Sequence, residues 1–91
     1  MSADQNKPVK KIIDGRIAAA IWKNEPMKQG GKPFYSLTFS RSFQDDQNNW
    51  KDTDSFSGTD LLIVGRLSVR AYDAISHLRA SDRAADQADA A

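Results

Sequence analysis

At 91 residues, with no cysteine and a formal net charge of +1, the chain reads as one domain without a disulfide framework or thiolate metal site. No apolar run approaches the ~18 residues that a membrane span needs. The N-terminus carries a lysine pair but no apolar h-region, so neither a membrane anchor nor a signal peptide is expected; the missing cysteines fit a reducing, cytoplasmic location.

Residues 1–10 show no periodicity and are expected to form a flexible basic arm. From Lys11 the chain alternates, with Ile13, Gly15, Ile17, Ala19 and Ile21 on one side and Asp14, Arg16, Ala18, Ala20 and Trp22 on the other. Gly15 inside this pattern predicts a bulge, a bend or a break between two strands. Pro26 stops the ladder, and the loop through Gly30-Gly31 leads into Phe34–Phe43, the clearest strand in the chain. There Tyr35, Leu37, Phe39 and Phe43 share one parity, while Phe34, Ser36, Thr38, Ser40 and Ser42 share the other. The turn residues DDQNN separate it from WKDTDSF, whose Trp50, Asp52, Asp54 and Phe56 alternate. Two buried, unpaired aspartates would cost too much for that row to be a uniform core face.

Ser57-Gly58-Thr59-Asp60 predicts a helix start, with Ser57 or Thr59 capping and Asp60 at the positive end of the dipole. The helix is expected to run to about Arg79, with Leu61, Val64, Leu67, Ala71, Tyr72, Ile75 and Leu78 as its packing stripe. Residues 80–91 form an Ala/Asp-rich tail expected to be flexible. Leu62 and Val69 fall off the stripe, seven residues apart. The ~70 residues left to fold bury only about 60% of their unfolded surface. A homodimer or higher oligomer through Leu62 and Val69 is therefore expected.

Charge is segregated along the chain. Residues 5–43 hold eight basic side chains against Asp14 and Glu25, whereas residues 44–60 hold five aspartates against Lys51. Basic residues interleaved with aromatics on a half-buried hairpin are what a sheet needs to track a phosphate chain. Lys10, Lys11, Arg16, Lys23, Lys32 and Arg41 are the expected phosphate partners, and Ser36, Thr38 and Ser40 can donate to phosphate oxygens. Trp22 and Phe34 are the stacking candidates; Trp22 alternatively packs on a neighbouring strand or a second copy.

Other chemistries fit poorly. A calcium loop starting at Asp52 would have Phe56 at its fifth position and no glutamate at its twelfth. Asp52 and Asp54, two apart on a strand, are ~7 Å apart, a separation compatible with a two-carboxylate hydrolase. The chain is short for building a cleft around them, and His77 has no apparent partner. No catalytic residue, metal or cofactor is expected.

The segments IIDGRIAAAIW, FYSLTFSRSF and DDQNNWKDTDSFSG, followed by a helix from about Thr59, resemble in order the single-stranded-DNA-binding fold of positive cofactor four and the Whirly proteins. That resemblance covers residues 11–79. It implies a four-stranded antiparallel meander followed by one helix (ββββα, α+β), self-association, and single-stranded DNA or RNA bound on the sheet. The acidic third hairpin departs from that pattern. AAIW and WKDTDSF also resemble segments of short bacterial proteins, which imply no activity. The alternative is a protein-interaction or regulatory module that binds no nucleic acid, with the acidic hairpin and Leu62/Val69 meeting a partner. An oligonucleotide-binding barrel would need two further strands that the tail cannot form.

Overall fold

The computed structural model describes residues 7–26 and 29–90, the last five by their backbone only. Residues 1–6 of the expected arm, and Met27 and Lys28 of the β2–β3 loop, lie outside the described residues. Four strands, β1 (Lys10–Asp14), β2 (Ile17–Asn24), β3 (Phe34–Gln44) and β4 (Trp50–Thr53), precede one helix, α1 (Asp60–Ala90). The strands form an antiparallel meander in the order β1-β2-β3-β4, and the helix covers one face. This is the expected ββββα, α+β architecture. Among the described residues, no helix is long and apolar enough to cross a membrane.

β1 and β2 are joined by a two-residue turn at Gly15-Arg16, because Asp14 pairs with Ile17. Gly15 has φ +65° and Arg16 has no positive φ, the combination a II′ turn requires. This tight reversal corrects the expected parity of β1. Residues paired across a ladder share a face, so Ile12 joins its partner Ala19 in the core and Ile13 joins Ala18 on the outer side. Ile12 is buried and Ile13 is 60% exposed. The strand also starts a residue early: Lys10 is in it, and Val9 N–H donates to the Ile21 carbonyl at 2.8 Å. In β2 the parity is as expected, with Ile17, Ala19 and Ile21 fully buried.

The core cluster is Ile12, Ile17, Ala19, Ile21, Leu67 and Ala71. Tyr35, Leu37, Phe39, Val64, Ile75 and Leu78 pack around it half-buried, joined by Ile63 and Phe56. Two members of the expected helix stripe, Leu61 and Tyr72, are instead exposed. At 100° per residue both sit to the side of the arc centred on Leu67 and Ala71. The puzzle of two aspartates on one β4 face is resolved by the strand ending at Thr53, which puts Asp54 outside the sheet.

The helix passes the expected end at Arg79 and continues to Ala90. Alanine, the best helix former, occupies much of this segment. Asp82 ties it to the sheet: Tyr35 Oη donates to its Oδ2 at 2.5 Å, and Lys23 Nζ lies 3.5 Å from the same oxygen. At its other end, Ser57 N–H and Oγ–H both donate to Asp60 Oδ2, at 3.0 and 2.8 Å. This is the reciprocal arm of a capping box.

Candidate nucleic-acid interface

The sheet has one covered and one open face, and the ladder register decides which side chains each receives. On the open face lie Lys11 and Ile13 of β1, Ala18, Ala20, Trp22 and Asn24 of β2, the even-numbered residues 34–44 of β3, and Trp50 and Asp52 of β4. Among the described residues this face is largely uncovered: Phe34 is 59% and Trp50 61% exposed, while the small Ala18 is buried between its neighbours. Small side chains and hydroxyls occupy the middle. The indole Nε1–H of Trp22 donates to Thr38 Oγ1 at 2.8 Å, which draws the ring diagonally across the face. Asn24 Nδ2 donates to Ser36 Oγ at 3.0 Å. In both cases the hydroxyl oxygen accepts, so the hydroxyl hydrogens of Ser36 and Thr38 remain free to donate outward.

Trp22 and Phe34 are diagonal neighbours at one end of this face, because Asn24 pairs with Phe34 and Trp22 with Ser36. Trp50 pairs with Gln44 at the other end, about 27 Å from Trp22 at ~3.4 Å per residue. Trp50 is a candidate that alternation within its own segment did not single out. The pairing of Gln44 with Trp50 across the DDQNN turn places it beside the β3 hydroxyl row.

The cations divide between the faces. Lys11 stands on the open face, beside Ala20, and Arg16 is exposed in the β1–β2 turn. Lys10, Lys23 and Arg41 are on the helix side by register. Lys23 Nζ lies 5.9 Å from the Tyr35 ring centre and is paired with Asp82. Arg41 Nε donates to the Ser55 carbonyl at 3.2 Å and lies 3.4 Å from Asp60 Oδ2, so it braces the β4–α1 junction. Lys32 borders a cavity beneath the sheet. The expected set of six phosphate partners is therefore not one surface.

Several aspartates of the acidic segment have local partners. Asp45 Oδ1 accepts from Gln47 N–H and Asn49 N–H, each at 2.9 Å, closing a hairpin in which Asn48 has φ 64°. The Asn49 N–H, with that of Gln47, holds the Asp45 carboxyl below the usual carboxylate range. Asp60 is held low by the Ser57 N–H and hydroxyl. Asp52 accepts from Ser42 Oγ at 3.1 Å on the open face. Among the described residues, no three acidic or histidine side chains converge as a cation site would require.

The outward side of the helix carries Leu62 and Val69, at 84% and 63% exposure, with Tyr72, 73% exposed, at its flank. Comparison with protein-family models, curated proteins and solved structures returns no match.

Proposed function

We propose that the open face of the sheet binds single-stranded nucleic acid, with bases stacked on Trp22, Phe34 and Trp50 and the backbone following the β3 hydroxyls. The observation that carries this reading is the open face itself, which sets aromatic platforms at both ends of a row of small and hydroxylated residues. Every base offers a π-face, so such a surface is tolerant of sequence, and each stacked base contributes about 1–3 kcal/mol. The resemblance of the element order to positive cofactor four and the Whirly proteins implies binding on the sheet as well. Ser36, Thr38 and Ser40 donate to phosphate oxygens, while Lys11 and Arg16 neutralise charge at its edge. Lys10, Lys23, Lys32 and Arg41 have no part in this surface.

With two cations at the face rather than six, the salt dependence is shallow. Log affinity of a dT oligomer against log salt is expected to slope at about −1 to −2, from ~0.7 per neutralised phosphate on a single strand. Trp22→Ala weakens binding by about 1–3 kcal/mol and leaves the slope unchanged, whereas Arg16→Ala lowers the slope by roughly 0.7. A fluorescence titration at two salt concentrations reads both quantities. No binding at low salt by a folded sample ends this reading.

The second reading is a protein-interaction module that self-associates through the helix. The exposed Leu62 and Val69 favour it, since at 100° per residue both lie opposite the packed arc, with exposed Tyr72 at their flank. A stable monomer at micromolar concentration in sedimentation would contradict the homodimer.

A further inference from the structure

Below the Phe34 end of the sheet, on the side away from Trp22, a cavity of about 420 Å³ opens between the start of β3 and the later turns of α1. Four of its lining side chains are cations, Lys23, Lys32, Arg79 and Arg83, facing the single carboxylate of Asp82. That carboxylate is already engaged, accepting from Tyr35 Oη at 2.5 Å and lying 3.5 Å from Lys23 Nζ. Among the described residues, Lys32, Arg79 and Arg83 make no ion pair. Arg79 and Arg83 are four apart, one turn along the same helix face, where like charges repel. Among the described lining residues, four cations converge on a concavity that holds one carboxylate, and such an excess is a site for an anion. Two guanidiniums one turn apart suit a tetrahedral oxyanion, because each presents a planar fork of donors to its oxygens.

We propose that this cavity binds a phosphate monoester dianion, held by Arg79 and Arg83 with Lys32 closing over it. Asp82 has a negative role. Its carboxylate partly neutralises the site, although the Tyr35 hydroxyl and Lys23 already engage it. The volume exceeds that of a bare phosphate and falls within the range of small-ligand sites, so the esterified group has room. Phosphate of this kind comes either as a free small molecule or as the terminal phosphate of a nucleic-acid strand, and both present the same dianion.

The test is titration of the full chain with inorganic phosphate at constant ionic strength, followed by backbone amide resonances. Saturable shifts are expected at residues 32–35 and 79–83. Arg79→Gln and Arg83→Gln should each weaken binding by about tenfold, one charge-assisted contact apiece. Both positions are exposed, so the amide spectrum elsewhere should be retained. Asp82→Asn should instead tighten phosphate binding, a gain that damage to the fold does not produce. Lys51→Gln, at the far hairpin, should leave it unchanged. Non-saturating shifts, or shifts that persist in the Arg79→Gln/Arg83→Gln double variant, overturn the proposal. A dT oligomer carrying a 5′-phosphate, compared with its 5′-hydroxyl counterpart, separates the sources. An Arg83-dependent gain assigns the site to a strand terminus, and no gain beside retained phosphate saturation assigns it to a free monoester. Trp22→Ala should leave the phosphate titration untouched, so failure of the open face and failure of the cavity are distinguishable.

Discussion

Asp82 joins the helix to the sheet through two side chains, Tyr35 and Lys23, and so couples packing to protonation. Burial first, then the hydrogen bond to Asp82 and its charge, with a smaller push from Glu25, raise the Tyr35 hydroxyl from 10.0 to about 12. The Tyr35 hydrogen bond, assisted by Lys23, holds the Asp82 carboxyl below its ordinary 3.8. A raised hydroxyl means that the folded state keeps a proton the unfolded chain releases. Its contribution is full below pH 10.0 and is lost as pH rises towards about 12. The lowered carboxyls of Asp45, Asp60 and Asp82 act in the opposite direction. Their contribution is present above 3.8 and is lost as pH falls through their depressed values. Thermal melts across pH should therefore decline at both ends. Tyr35→Phe should remove part of the alkaline decline and leave that part of the acid decline due to Asp45 and Asp60. An alkaline limb identical in the variant would show that the Tyr35–Asp82 bond does not carry it.

Among the elements, the β1–β2 hairpin and the helix make opposite demands on glycine. Gly15 has φ +65°, and a Cβ there would meet nothing within 4 Å, so the cost of a side chain is backbone strain alone. Gly15→Ala is expected to destabilise by about 1–3 kcal/mol. Gly65 lies inside α1 with open space around it and no positive φ. Gly65→Ala is expected to stabilise by about 1 kcal/mol, since alanine restricts the unfolded chain and favours the helix. Urea unfolding of the two variants gives the test. Shifts of the same sign would mean that packing, not backbone preference, dominates at one of them.

The whole molecule measures 57 × 29 × 17 Å, a thin sheet under a long rod rather than a thick two-sided core. The 31-residue helix spans roughly 46 Å at 1.5 Å per residue, which sets the long axis. The buried centre is small, with Leu67 the one large helix side chain wholly enclosed among the described residues. Leu67→Ala should cost about 2–5 kcal/mol against a total stability of roughly 5–14 kcal/mol for this length, and circular dichroism should show a large drop in melting temperature. A variant melting within a few degrees of the parent would place the core's strength elsewhere. Self-association is argued at the same scale. Leu62→Lys with Val69→Lys should move an oligomer towards monomer in sedimentation, and an unchanged distribution would exclude the helix as the contact.

Element order, the alternation of β2 and β3 and the apolar helix stripe around Leu67 and Ala71 were legible in the sequence, because each is a local pattern set by the side-chain period of its own element. The phase of β1 was not. Within Ile12-Ile13 either isoleucine can face inward, and only the two-residue turn at Gly15-Arg16 selects Ile12 by pairing Asp14 with Ile17. The helix end was misjudged because stripe periodicity fades after Leu78, while contacts from Tyr35 and Lys23 to Asp82 anchor the turns beyond. The sequence also supplied an excess of cations without their directions. Tertiary structure sent Lys23 and Arg41 to the helix side as partners for Asp82 and Asp60, and gathered Lys32, Arg79 and Arg83 around one cavity. Charge along a chain adds up locally, but which charges share a surface depends on strand register and on what the helix brings across from up to 60 residues away, as between Lys23 and Arg83.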